Sequence, residues 1–240
     1  NYANILACRM HRFELDRHYD EIEWNNVDSV LLISEAMERR FHAKGKYKGK
    51  TFVTYDNLNF EEFPLVQREK TMQIGMLGNI EPRKGILEFV EHFGKMKLPE
   101  IKLSIAGKEK DTTYSGKIKR HIDENNLESK IAIEGYVENL NNWYNSNDCI
   151  ISNSFHEGTQ TSIVEGVATG CWAISKNWDG ADEIVDEKGL FTNINELEKC
   201  INLFYGWNGQ ERNKNINKAR EKLISKLTSR PRMHDILLRL

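Results

Sequence analysis

Asp148-Cys-Ile-Ile-Ser-Asn-Ser-Phe-His-Glu157-Gly-Thr-Gln-Thr-Ser-Ile-Val-Glu165-Gly-Val-Ala-Thr-Gly170 reads as a strand, a loop and a helix in succession. The apolar run at 149–152 has the length of a short buried strand. A helix-compatible segment begins at about Thr161 and closes at Gly170, the usual C-terminal stop. Glu157 then lies in the loop beyond a strand's C-terminal edge, and Glu165 lies in the helix that follows. Open α/β sheets bind ligands at that edge. A carboxylate accepts two hydroxyl hydrogen bonds, so two of them about 10 Å apart, by chain and helix geometry, suit two polyols such as a sugar and a ribose. Taken singly, each glutamate also fits a solvated surface acid.

Outward from this stretch the elements alternate. Strands are expected at 72–77, 101–106, 130–134 and 171–175, and helices at 86–96, 114–125 and 140–145. That alternation implies a doubly wound parallel sheet of Rossmann-like type, with helices on both faces. Upstream, 5–10, 29–33 and 51–55 read as strands, with a helix capped by Ser34 running to about Ala43. Residues 56–70, with Asn57, Asn59 and Pro64, lack periodicity and read as a linker. Residues 210–240 are helical in composition and carry nine Lys/Arg against three acids. Such a segment is a solvated helical face or, alternatively, a contact for an anionic partner or a membrane surface.

Composition sets bounds. A chain of 240 residues, 39% hydrophobic and 29% charged, has the length for one large or two small domains. Its net charge of −2 argues against a nucleic-acid partner. Cys8, Cys149, Cys171 and Cys200 form no C-x-x-C pair, so neither a zinc site nor a disulfide framework is indicated. No run is apolar and long enough to span a bilayer, and no signal peptide is evident, so a cytoplasmic location is expected. The chain opens at Asn1 almost directly in a strand, as a fragment of a longer protein would.

Gly78-Asn-Ile-Glu-Pro-Arg-Lys84-Gly85 joins a strand to a helix. Glycines let backbone N–H groups approach an anion, and Lys84 can reach a phosphate. The loop is neither G-x-G-x-x-G nor a Walker loop, which counts against dinucleotide and ATPase readings. Alone, Arg83 and Lys84 would equally suit exposed loop charges.

Over residues 28–185 the chain resembles the GT-B glycosyltransferases of family 4, the glycosyl transferases group 1 type. Five landmarks carry the resemblance, in order: the 78–85 loop, Leu103-Ser-Ile-Ala-Gly107, Ile133-Glu-Gly135-Tyr-Val137, the Glu157-x7-Glu165 stretch, and Gly180-Ala-Asp-Glu-Ile-Val185. The resemblance implies that Lys84, with Gly78, Asn79 and Arg83, binds a donor pyrophosphate. It implies that Glu157, beside Gly158, contacts the donor sugar near its reacting carbon and that Glu165 holds the ribose. The Tyr136-Val137 backbone would lie against the base, and Thr161 and Ser162 would offer N–H groups to the distal phosphate. His11, at the first strand's end, is similar to a donor-facing histidine, so Glu157, Lys84 and His11 are the catalytic candidates. Asn79 is a departure, because the family usually has Arg there.

On this resemblance, 1–65 is the end of an acceptor-side domain with its linker. Residues 66–209 form the donor domain, and 210–240 is a helix packing back on the first part. The implied activity is a retaining transfer, without metal or other cofactor, from a UDP-linked sugar to a glycan or lipid-linked acceptor. UDP would be the product, and peripheral membrane contact through 210–240 is possible in principle. A non-catalytic transferase-like subunit and a GT-B sugar-nucleotide 2-epimerase are the alternatives, with an NAD oxidoreductase further off.

Overall fold

The computed structural model describes residues 5–56, 58–67, 69–98 and 100–238. Two parallel sheets divide the chain. The smaller runs β1 (Ala7–Met10), β2 (Ser29–Leu32), β3 (Lys50–Val53), in sequence order. The larger is built from β4 (Gln73–Leu77), β5 (Lys102–Ala106), β6 (Ile131–Gly135), β7 (Cys149–Ser152), β8 (Trp172–Lys176) and β9 (Leu190–Phe191). Its spatial order is β6-β5-β4-β7-β8-β9, every pair parallel. The order reverses between β4 and β7, and this is the switch point at which a doubly wound sheet opens a crevice.

The larger sheet is covered on both faces because its strands are apolar on both. Cys149 and Ile151 of β7 enter one core with Phe89, Val90 and Phe93 of α3 (Ile86–Phe93), Ile118 and Ile122 of α4 (Thr112–Glu124), and Ile201 and Phe204 of α7 (Ile194–Gly206). Ile150, one residue out of phase, faces the opposite core. There it meets Trp143 and Tyr144 of α5 (Leu140–Asn145) and Ile163, Val164 and Val167 of α6 (Thr161–Thr169). This is strand period two against helix period 3.6. Gly170, in the left-handed region at φ 95°, ends α6 at the position expected from sequence.

The three-stranded sheet gathers four aromatic rings in its core, beside Met10, Leu15, Val30, Leu32, Ile33 and Met37. Tyr19, Trp24, Phe41 and Tyr47 meet with centroids 4.8 to 5.6 Å apart beneath α1 (Arg12–Arg17) and α2 (Glu35–Lys44). Such rings bury a large apolar area per residue, which suits a small sheet.

The expected strands and helices occur with ends shifted by up to three residues. α1, α7 and β9 were not expected from the sequence. Residues 210–240 divide into α8 (Gly209–Thr228) and α9 (Met233–Leu237), because Pro231 interrupts the helix. The final two residues of that segment, and Asn57 of the linker, lie outside the described residues. The linker has no helix or strand among its described residues, yet it is docked. Phe63 is buried, Asn141 Nδ2 donates to the Glu62 carbonyl (2.7 Å), and Val66 N donates to the Thr169 carbonyl (3.2 Å).

α8 packs on α6, with Leu223 in the α6 core and Arg220 donating to the Ala168 carbonyl. Its last turns reach Glu35 at the start of α2, through Lys226 (2.7 Å) and Arg230 (2.8 Å). Three of the basic residues in 210–240 thus have partners inside the fold. No helix among the described residues is long and apolar enough to cross a membrane.

Candidate active site

The loops after β4 and β7 meet at the switch point. β4 runs into Gly78, whose φ of 154° lies in the region glycine favours, and the chain approaches Gly107 so closely that a Cβ there would overlap the Gly78 carbonyl. A single turn, Pro82–Lys84, then ends at Gly85 in the left-handed region (φ 61°), tight against Asn153. Asn153 Nδ2 donates to the Gly85 carbonyl (2.7 Å), and Phe155 N donates to the Arg83 carbonyl (3.1 Å), tying the two loops together.

The tie places Glu157 between two cations. Lys84 Nζ donates to its Oε1 (2.6 Å) and Arg83 Nη1 to its Oε2 (2.8 Å). Arg83 also pairs with Glu81 (2.8 Å). Glu157 is only 9% exposed. Burial alone would raise its carboxyl, but Lys84, then Arg83 and the Ser154 hydroxyl, outweigh this and hold it below the usual range. Glu165 departs in the other direction. Burial raises its carboxyl, and the hydrogen bond from Tyr144 Oη (2.6 Å) only partly opposes the rise. The same Tyr144 hydroxyl approaches the Ser162 carbonyl at 3.2 Å, so it fixes Glu165 against its own helix.

A cavity of about 590 Å³ separates the two sheets. Glu81, Arg83, His156, Glu157 and Gly158 line it from the larger sheet, and His11, Arg12, Phe13, Asp16 and Arg17 from the smaller. His11 is the N-terminal cap of α1, its backbone N–H donating to Glu14 (3.0 Å). Three contacts close the cavity's floor. Arg12 Nη1 donates to the Glu157 carbonyl (3.2 Å), Thr159 Oγ1 donates to the Ile33 carbonyl (3.0 Å), and Gly158 packs on Ile33 with no room for a Cβ. Beside it, the Glu183 carboxylate accepts from Glu35 N (3.0 Å), Ala36 N (2.7 Å) and Tyr55 Oη (2.6 Å), capping α2 from the other sheet.

Of the residues singled out in sequence, Gly78, Arg83, Lys84, Glu157, Gly158 and His11 thus converge on this crevice. Thr161, which is exposed, and Ser162 start α6. Gln160, the cap residue between them and the loop, donates from Nε2 to Ser162 Oγ (3.2 Å). Asn79 is exposed. Tyr136, 65% exposed, and Val137 follow β6, two strands from β4, with Lys108 over the Tyr136 ring at 4.8 Å. Arg12, Glu81, His156, Gly107 and Glu183 were not singled out. His156 and Arg12 adjoin residues that were, and Gly107 and Glu183 sit inside quoted landmarks. Only the fold shows what each one touches.

A parallel sheet of this strand order, facing a second parallel sheet across a crevice, is the GT-B architecture. The chain belongs to the glycosyl transferases group 1 family, whose model matches residues 59–225. A curated relative, the poly(glycerol-phosphate) alpha-glucosyltransferase of Bacillus subtilis (strain 168), is 25% identical over 186 residues, covering 73% of this chain and 27% of that protein. Among solved structures, TarM superposes with a TM-score of 0.81 at 20% identity over 95% of this chain and 48% of that one. Anabaena Alr3699/HepE, solved with UDP and glucose, gives 0.76 at 16% identity, over 98% and 72%. At such identities the structural likeness speaks for the fold alone. The chain spans about a quarter of the curated relative's length and about half of TarM.

Proposed function

We propose that this chain carries the donor site of a retaining glycosyltransferase. It moves a sugar from a UDP-linked donor to a hydroxyl of a glycan or lipid-linked acceptor, without a metal ion or other cofactor. The observation that carries this reading is the grip of Lys84 and Arg83 on Glu157 at the switch point. Those two cations, with the N–H groups that begin α6, form a seat for a diphosphate beside a carboxylate suited to sugar hydroxyls.

In this reading the diphosphate competes with Glu157 for Lys84 and Arg83. Glu157 turns to the sugar, where its carboxylate oxygens accept hydroxyl hydrogen bonds. As the bond between the anomeric carbon and the phosphate oxygen breaks, negative charge grows on the diphosphate and the cations stabilise it. The acceptor oxygen bonds to the anomeric carbon on the same face, and its proton passes to the departing phosphate oxygen. Glu165 holds the ribose, and His11 faces the sugar from the opposite wall. Arg83 supplies the cation that Asn79 does not. The nucleotide in the Anabaena structure and the acceptor named for the Bacillus relative support a UDP donor and a hydroxyl-bearing acceptor. Peripheral membrane contact through 210–240 and a cytoplasmic location belong to the same proposal.

Calorimetric titration with UDP, GDP and ADP tests it. Micromolar affinity for UDP is expected. Lys84→Ala and Glu165→Ala should each weaken it about tenfold to a hundredfold, from the roughly 1.5–3 kcal/mol of a charge-assisted hydrogen bond. Absence of binding by all three nucleotides, or indifference to both substitutions, would sink the donor-site reading. Tight UDP binding with no sugar transfer to any acceptor would favour a non-catalytic subunit.

A further inference from the structure

The two walls of the crevice differ in how their charges are engaged. On the donor wall Arg83 is held by Glu81 and Glu157. On the α1 wall Arg12 donates from Nε to Asp16 (3.3 Å) and from Nη1 to the Glu157 carbonyl, while Asp16 also accepts from Arg40 (3.0 Å). Arg17 is the remaining arginine of the lining, and among the described residues no carboxylate pairs with it. Its guanidinium lies 4.8 Å over the ring of Phe13, one helical turn earlier. Phe13 is 55% exposed and lines the same cavity. The imidazole of His156, in the same lining, is pushed below its ordinary value first by burial and then by Arg12 and Arg83, with Glu157 and Asp16 opposing.

We propose that the Phe13–Arg17 face of α1 is the acceptor subsite, and that the acceptor is a polyol or glycan chain bearing a negative charge within one unit of the accepting hydroxyl. An exposed ring offers a flat apolar surface to the C–H face of a sugar or polyol. A guanidinium lying on that ring keeps its N–H fork free for a planar or tetrahedral oxyanion. The pair stands across the crevice from Lys84 and Glu157, where an acceptor must enter if the donor lies on the β4 and β7 loops. A phosphodiester and a carboxylate present the same chemistry to Arg17. The proposal rests on the transferase reading above.

The test is titration of the full chain, saturated with UDP, with three oligomers of equal length: a glycerol phosphate oligomer, a uronic acid oligosaccharide and a neutral glucan. At least one charged oligomer should bind about tenfold or more tighter than the glucan, as a charge-assisted contact predicts, and the margin should shrink with salt. Arg17→Gln should remove the margin and Phe13→Ala should weaken all three oligomers. Whichever charged oligomer wins identifies the anion. Equal affinity for charged and neutral oligomers, a margin unchanged in Arg17→Gln, or no oligomer binding to a chain that binds UDP would each overturn the proposal. Failure to bind UDP in the first step would instead remove the reading beneath it.

Discussion

The two sheets do the same topological job with different materials. The six-stranded sheet has mixed aliphatic and aromatic cores on both faces, and its crevice loops turn on glycines with positive φ, at 78, 85 and 107. The three-stranded sheet gathers a knot of four aromatic rings in its core, and its crevice-facing residues on α1 are two arginines, an aspartate and an exposed ring. Tight backbone turns suit a ligand part that never changes, such as a diphosphate. Long side chains on a helix suit a part that varies, such as an acceptor. The contrast is that between a fixed seat and an adjustable wall.

The largest effect should come from breaking the aromatic knot. Trp24→Ala removes a buried ring that touches Tyr19, Phe41 and Tyr47 and a hydrogen bond to the Tyr19 carbonyl, at about 3–5 kcal/mol. If the sheets are energetically separate, UDP affinity should stay within about twofold, as expected for distant sites. Thermal unfolding followed by near-ultraviolet dichroism, with UDP titration alongside, measures both. Lost UDP affinity would show that the two sheets fold as one unit.

The donor seat can be broken through its charge. A folded-state value below the unfolded 4.5 means that Glu157 contributes stability above that pH and loses it as the pH falls through the depressed folded value. Glu157→Gln should lower stability at pH 7 by about 1.5–3 kcal/mol, the scale of a hydrogen bond to a charged group. The variant's melting temperature should also fall less steeply than the wild type's below about pH 4.5. Parallel pH profiles would mean that Lys84 and Arg83 do not hold the carboxylate in solution.

How much of this was legible in sequence follows the same division. The β4 and β7 loops were legible because backbone demands leave marks: Gly78, Gly85 and Gly170 stand where the chain turns, and Glu157 and Glu165 keep a fixed spacing across one loop and one helix. The α1 wall was much less so. Arg12, Phe13 and Arg17 look like any amphipathic turn until α1 is placed across from Glu157. Pairings between distant segments, such as Tyr144 with Glu165 or Glu183 with the start of α2, leave no local periodicity. The division of 210–240 was available from Pro231, because proline interrupts the interior of a helix.

A smaller effect sharpens the seat's dependence on glycine. Gly107→Ala and Gly135→Ala both place a side chain at positive φ, 144° and 71°, with strain of about 1–2 kcal/mol each. Only the first would overlap the Gly78 carbonyl, since a Cβ at Gly135 meets nothing within 4 Å. Gly107→Ala should therefore weaken UDP binding about tenfold while Gly135→Ala stays within about threefold, the difference being one displaced loop. Equal losses in calorimetry would mean that strain, rather than the Gly78 contact, governs the loop.

The Glu183 carboxylate that caps α2 from across the crevice has a consequence for how the molecule breathes. Parting the sheets would hand the N–H groups of Glu35 and Ala36 to water, whose oxygen lone pairs accept from both. The exchange costs only about 1.5–3 kcal/mol per bond, the net worth of a hydrogen bond to a charged group once solvent replaces it. Solvent is thus the rival that Glu183 meets at every opening, and the cap behaves as a detent: firm enough to register the sheets, yet made of a few bonds that water can replace one by one.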